Sequence, residues 1–301
     1  MHVLRGEADM FGLLKIQGEK FMKTGINLFL WTAAPEFTKH ESLLEKISDW
    51  GYDAFEMCVG QLDSGEINRF AAKAESLGLE RTALDVYSAS EMDIISPDLH
   101  MQKKAVDFIK TCLSKARDLG SKVFSGPVFQ GLCNTTQAGP TQDEWHRAVD
   151  NLRGCAEYGQ QVGVRLAAEP LNRFEMYLVN TMDQAYQFCK EVDNEYFGIL
   201  ADTHHSNIEE YSVAESYGRV LDKIFNIHIS ENNRGVPGEG HAAPPELFDT
   251  LKKGGYEGYL VVEAFNANVP EMLPLLRLWR PFVATEDEIA IKALKYIQQH
   301  I

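Results

Sequence analysis

From Lys23 onward, short apolar runs alternate with longer stretches in which apolar residues recur at i, i+3, i+4 and i+7. The runs occupy 25–31, 54–59, 81–86, 122–128, 164–169, 197–202, 224–230 and 259–263, and each is followed by a loop and a helical segment. Two of the helical faces read clearly: Ala105, Phe108, Ile109, Cys112, Leu113 and Ala116, and Trp145, Ala148, Val149, Leu152, Cys155 and Ala156. Helix starts carry capping-box pairs, Thr141 with Glu144, Thr181 with Gln184 and Thr285 with Glu288, in which each side chain satisfies a free backbone N–H. Strands that alternate with helices predict a parallel sheet. Eight such units predict an α/β fold of one closed (β/α)8 barrel, the TIM barrel, rather than an open sheet. No Gly-x-Gly-x-x-Gly follows the first run, so a dinucleotide fold loses its main support. Residues 1–21 show no clear period and are read as an N-terminal extension, with 22–301 as the barrel and catalytic domain.

Composition narrows the partners. A 301-residue chain that is 45% hydrophobic can bury one large core. Its formal charge of -15 disfavours a polyanion, so nucleic acid is not expected as a partner. No run of about 18 apolar residues predicts a membrane span, and the N-terminus lacks a signal-peptide apolar region. The five cysteines are scattered without a CxxC pair, which fits a reducing, cytoplasmic setting better than a disulfide framework or a thiolate zinc site.

In a barrel of this kind the active site lies at the C-terminal ends of the strands. The last four runs end in Glu169, Asp202, His228 and Glu263, which are 33, 26 and 35 residues apart, each about one βα unit. A polar residue at one strand end is unremarkable; four in phase on one rim form a metal-site pattern. Three carboxylates and one imidazole make an oxygen-rich set suited to one divalent ion, Mn²⁺ first, with Mg²⁺ or Co²⁺ as alternatives. Glu175, His205 and Arg234 stand nearby in sequence, and an imidazole and a guanidinium can donate to an oxygen that gains negative charge. The pattern alone leaves open whether His204 or His205 points inward. Residues 235–241 carry glycines that permit close approach to a neighbour or closure over a ligand.

These residues resemble a known family, the ketose 3-epimerases that act on D-tagatose and D-psicose, among the xylose-isomerase-like barrels. The resemblance is carried by Glu169-Pro170-Leu171-Asn172-Arg173-Phe174-Glu175, Asp202-Thr203-His204-His205, His228 with Ser230-Glu231-Asn232-Asn233-Arg234, and Glu263-Ala264-Phe265. It spans about residues 22–301. It implies that Glu169, Asp202, His228 and Glu263 bind the metal, that Glu175, His205 and Arg234 hold the O1 to O3 end of a ketose, and that Trp31 and Phe265 wall the sugar. Glu169 and Glu263 would move the C3 proton through a cis-enediolate. The resemblance also implies a homodimer or homotetramer. Ala264, where the family pattern has proline, and the tip Ser125-Gly126-Pro127-Val128, which lacks an aromatic residue, bear on which sugar fits. No glycine-rich run follows the last strand, which favours a free sugar over a phosphorylated one. An aldose–ketose isomerase such as hydroxypyruvate isomerase is the alternative, because the same metal and glutamates can move a proton between C1 and C2. A phosphodiesterase of the endonuclease IV type would need a cationic surface that this charge balance does not offer.

Overall fold

Eight strands pair in parallel and in chain order until the last returns to the first. They are β1 Lys23–Asn27, β2 Ala54–Cys58, β3 Glu80–Leu84, β4 Val123–Gly126, β5 Arg165–Ala168, β6 Phe197–Asp202, β7 Ile224–Ile229 and β8 Tyr259–Val262. Closure runs through Lys23 opposite Tyr259 and Ile26 opposite Val262. The computed structural model describes residues 22–301 apart from 133, 135, 137 and 271. The expected extension 1–21, and Cys133, lie outside the described residues. Cys58, Cys112, Cys155 and Cys189 are free thiols.

The helices are α1 Phe37–Trp50, α2 Ser64–Leu77, α3 Leu99–Leu119, α4 Gln142–Val162, α5 Met182–Val192, α6 Thr203–Glu209, α7 Val213–Val220, α8 Pro245–Lys253, the short α9 Leu273–Leu276, and α10 Glu286–Gln298. The apolar faces read from the sequence on α3 and α4 are largely buried, Ile109, Leu113, Ala148 and Leu152 fully so. Each such Ile or Leu contributes roughly 1.5–3 kcal/mol relative to exposure. The Thr141 and Thr181 capping boxes close in both directions. Thr285 accepts from the Glu288 N–H, whereas the Glu288 carboxylate pairs with Lys292.

Between barrel and helices lies the main core, in which Phe188 of α5 meets Phe197 of β6 at 5.9 Å and Phe129 at 4.9 Å. Phe197 therefore faces outward, and strand alternation turns Leu200 and Asp202 inward. Leu200 joins Val123, Ala167 and Phe225 in a small separate cluster inside the barrel. Between β6 and β7 the register slips by one residue, from Ile199 opposite Ile224 to Leu200 opposite Asn226. The slip brings Asn226 and His228 level with Leu200 and Asp202, so both point into the barrel. Gly126 ends β4 at φ 148°, where an added Cβ would sit 2.1 Å from the Asp85 carbonyl oxygen. Only glycine fits that junction.

The first strand departs most from expectation. The run 25–31 predicts a strand to Trp31, but β1 ends at Asn27. There the Asn27 side-chain oxygen accepts from the Phe29 N–H at 2.8 Å and starts a 3₁₀ turn at Leu28–Leu30. That local hydrogen bond competes with the sheet ladder and wins.

Candidate metal centre

Asp202 is the last residue of β6, His228 the fifth of six in β7, and Glu169 and Glu263 follow β5 and β8 directly. All four are buried, and one donor atom from each lies within 4.8 Å of the others. His228 Nδ1 is 3.4 Å from Glu263 Oε1, 3.8 Å from Asp202 Oδ2 and 4.0 Å from Glu169 Oε1. Among the described residues it is the one buried side-chain nitrogen or oxygen without a hydrogen-bond partner. A buried polar atom left in that state is costly, and here it faces three carboxylates.

Each ligand candidate is aimed by its surroundings. His228 Nε2 lies 2.7 Å from Glu56 Oε2, and because a carboxylate only accepts, Nε2 carries the proton and leaves Nδ1 toward the cluster. Asp202 divides its oxygens: Oδ1 caps α6 by accepting from the His204 N–H at 2.6 Å, and Oδ2 faces the centre. Arg234 Nη1 donates to Asp202 Oδ2 at 2.9 Å, to Glu263 Oε2 at 2.6 Å and to Ser230 Oγ at 3.1 Å. Burial holds the Glu169 carboxyl well above the usual carboxylate range, opposed by His228 and reinforced by the Glu263 and Asp202 charges. Burial acts the same way on Asp202, but the Arg234 guanidinium and then the histidines outweigh it and hold that carboxyl well below its usual range. Three carboxyl groups converge here beside one guanidinium and one imidazole, and a divalent cation would balance the negative charge gathered there. The donor set and its unsatisfied nitrogen fit such an ion.

Beside this cluster opens a cavity of about 550 Å³, lined at its inner end by Glu169, Glu175, His205, Arg234 and Glu263, and elsewhere mainly by apolar side chains. Glu175 is held by Asn172 Nδ2 at 2.9 Å, and the Arg234 Nη2 group reaches His205 Nε2 at 2.8 Å. His205 is buried 4.0 Å from Glu169, whereas His204 turns to the Glu231 carbonyl oxygen at 2.9 Å and lines a neighbouring groove. Burial, more than the Arg234 charge, lowers the His204 pKa to about 4.

Phe265 lines the cavity, and Trp31 does not. The 3₁₀ turn after Asn27 carries Trp31 away to stack on Trp50 at 6.1 Å and to donate Nε1 to Asp287 at 3.1 Å. Phe29 takes the wall position instead, 6.3 Å from the Phe265 ring. The glycine loop 235–241 is pinned rather than free: the buried Glu231 carboxylate accepts from Gly238 and Ala242 N–H groups, and Gly238 packs against Tyr296. Two contributors escaped the sequence reading. Glu56 had a signal, a lone charge inside the apolar run Ala54-Phe55-Glu56-Met57-Cys58. Asp85, on the cavity wall, is spent on the N–H groups of Val59, Gly60 and Val86.

The fold and its rim define a class. Residues 44–300 match the family described as the xylose isomerase-like TIM barrel. Over 277 residues the chain is 29% identical to the L-ribulose 3-epimerase of Mesorhizobium japonicum, covering 91% of this chain and 93% of that protein. It is 30% identical over 271 residues to the D-psicose 3-epimerase of Ruminiclostridium cellulolyticum, covering 89% and 92%. The solved structure of a D-psicose 3-epimerase with D-tagatose from Clostridium cellulolyticum superposes with a TM-score of 0.84 at 27% identity, over 93% of this chain and 99% of that one. Within the xylose isomerase-like barrels, this chain belongs to the ketose 3-epimerases, isomerase-class enzymes that act on carbohydrate.

Proposed function

We propose that this chain is a metal-dependent epimerase that inverts C3 of a free ketose of the tagatose, psicose, fructose or ribulose type. The observation that carries the metal part is the unpartnered His228 Nδ1 facing Glu169, Asp202 and Glu263. Those four residues would hold one divalent ion, Mn²⁺ by preference with Mg²⁺ or Co²⁺ as substitutes. When bound, the ion polarises the ketose oxygens and offsets the negative charge that builds when the C3 proton leaves.

Inversion needs two groups, one to remove the proton and one to return it from the opposite face. Glu169 and Glu263, leaving β5 and β8, are suited to that pair: one accepts the C3 proton to give the cis-enediolate, and the other donates. Arg234, His205 and Glu175 line the same end of the cavity and would orient O1 to O3. Phe29 and Phe265 would pack against the carbon skeleton. The working form is read as a homodimer or homotetramer, as the family resemblance implies. Free thiols suit a cytoplasmic location, and no described helix is long and apolar enough to cross a membrane.

Ketopentoses and ketohexoses incubated with the Mn²⁺-loaded protein in D₂O, followed by proton NMR, test the reading. Deuterium should enter at C3 as the epimer accumulates. Deuterium at C1 with aldose appearing, and none at C3, would replace the epimerase by an aldose–ketose isomerase.

A further inference from the structure

Glu56 is the middle residue of β2 and is fully buried. Its carboxylate accepts four hydrogen bonds: from Asn27 Nδ2 at 3.0 Å, Thr82 Oγ1 at 2.9 Å, Asn226 Nδ2 at 2.9 Å and His228 Nε2 at 2.7 Å. Asn27 and Thr82 are its register partners on the two neighbouring strands, while Asn226 and His228 reach it across the barrel from β7. No lysine or arginine side chain joins this set of partners.

The interior of such a barrel is ordinarily filled by bulky branched apolar side chains. Replacing a buried ionic group by a well-packed apolar one is often neutral or stabilising, so stability alone gives no reason for a carboxylate at this position. What a leucine at position 56 cannot do is accept the Nε2 proton of His228. A half-turn of that ring would leave Glu56 short of a donor and swing Nδ1 away from Glu169, Asp202 and Glu263. Asn27, Thr82 and Asn226 hold the carboxylate in turn, so its position is set from three strands, β1, β3 and β7.

We propose that Glu56 is a positioning residue for the metal centre: it locks the ring of His228 with Nε2 protonated and Nδ1 presented to the ion, and its charge strengthens that nitrogen as a ligand. The inference rests on the metal-centre reading above. Partners of this kind typically change metal affinity by about 10- to 100-fold when removed.

The test compares Mn²⁺ binding to metal-stripped wild-type, Glu56→Gln and Thr82→Val proteins by electron paramagnetic resonance, with thermal melts of the metal-free forms alongside. Glu56→Gln keeps the shape and loses the charge, and is expected to bind Mn²⁺ about 10- to 100-fold more weakly without a matching fall in the melt. Thr82→Val removes a donor to the same carboxylate but leaves the His228 contact, and is expected to bind Mn²⁺ close to wild type. Equal affinity for wild type and Glu56→Gln overturns the proposal while leaving the metal centre standing. So does an equal loss in both variants that follows the melts, which marks a packing network only. No binding by the wild type overturns the metal reading and this proposal with it. Should Glu56→Gln fail to fold, histidine ¹⁵N shifts of the wild-type protein loaded with Mg²⁺ decide. His228 protonated at Nε2 and ligating through Nδ1 sustains the proposal, and the opposite tautomer ends it.

Discussion

The two halves of the barrel carry different burdens. From β5 to β8, every strand delivers an ionisable side chain to the rim: Glu169, Asp202, His228 and Glu263. From β1 to β4, the inward polar residues Asn27, Glu56, Thr82 and Ser125 sit within the barrel and are fully or almost fully buried. The same half gives the cavity mainly wall, through Phe29, Leu62, Leu84, Val86 and Pro127. On the proposed function, one half holds the reacting centre, and the other holds that centre's support and the shape around it.

If that division is right, the largest losses follow changes on the second half. Glu169→Gln and Glu263→Gln should each lower kcat by about 10²- to 10⁴-fold, the usual worth of a positioned acid or base. Circular dichroism should be unchanged. Assays at saturating Mn²⁺, with binding measured separately, distinguish lost proton transfer from lost metal. A variant that keeps near-wild-type kcat would remove its glutamate from the proton path.

That half was the readable one, and the reason is physical. A carboxylate or imidazole at the end of an apolar run is conspicuous, and β6, marked at both ends by Phe197 and Asp202, matches its predicted span residue for residue. The spacing of one βα unit then put the four on one rim. The first half hid its contribution because its chemistry depends on contacts distant in sequence: Glu56 meets His228 172 residues away. Its strand end was misread because hydrophobicity could not report that Asn27 would turn its side chain onto its own backbone. The choice of His205 over His204 rested on family resemblance. It depends on α6 starting at Thr203, which a one-residue shift in the cap would undo.

A middle-sized effect separates the halves through metal-linked stability. Mn²⁺ at 100 times its Kd should stabilise the wild-type fold by about 2.7 kcal/mol, by mass action. For a domain of this size that is a rise of several degrees in Tm. Asp202→Asn should abolish the rise, because it removes a ligand on β6 and weakens the anchor of Arg234. Ser125→Ala, on β4, should leave it intact: among the described residues its hydroxyl meets a single long contact, of 3.4 Å from Asn226 Nδ2. Scanning calorimetry with and without Mn²⁺ reads both. A lost rise in Ser125→Ala would mean that the first half takes part in binding the ion directly.

The smallest effect tests the boundary of β1, where the wall begins. Phe29 faces the cavity beside Phe265, half-buried, so cutting it to alanine should remove apolar contact with the sugar and little else. A partial loss of one aromatic contact corresponds to about a tenfold rise in KM, from roughly 1.5 kcal/mol of lost burial, with kcat nearly unchanged. Trp31→Ala should do the reverse. It breaks the stack on Trp50 and the hydrogen bond to Asp287, costing about 1–3 kcal/mol of stability, and leaves KM alone because the ring does not line the cavity. Steady-state kinetics and urea melts on the two variants read the contrast. If Trp31→Ala raised KM as much as Phe29→Ala, the 3₁₀ turn would not be placing these rings as described, and the wall of the sugar site would have to be redrawn from Trp31.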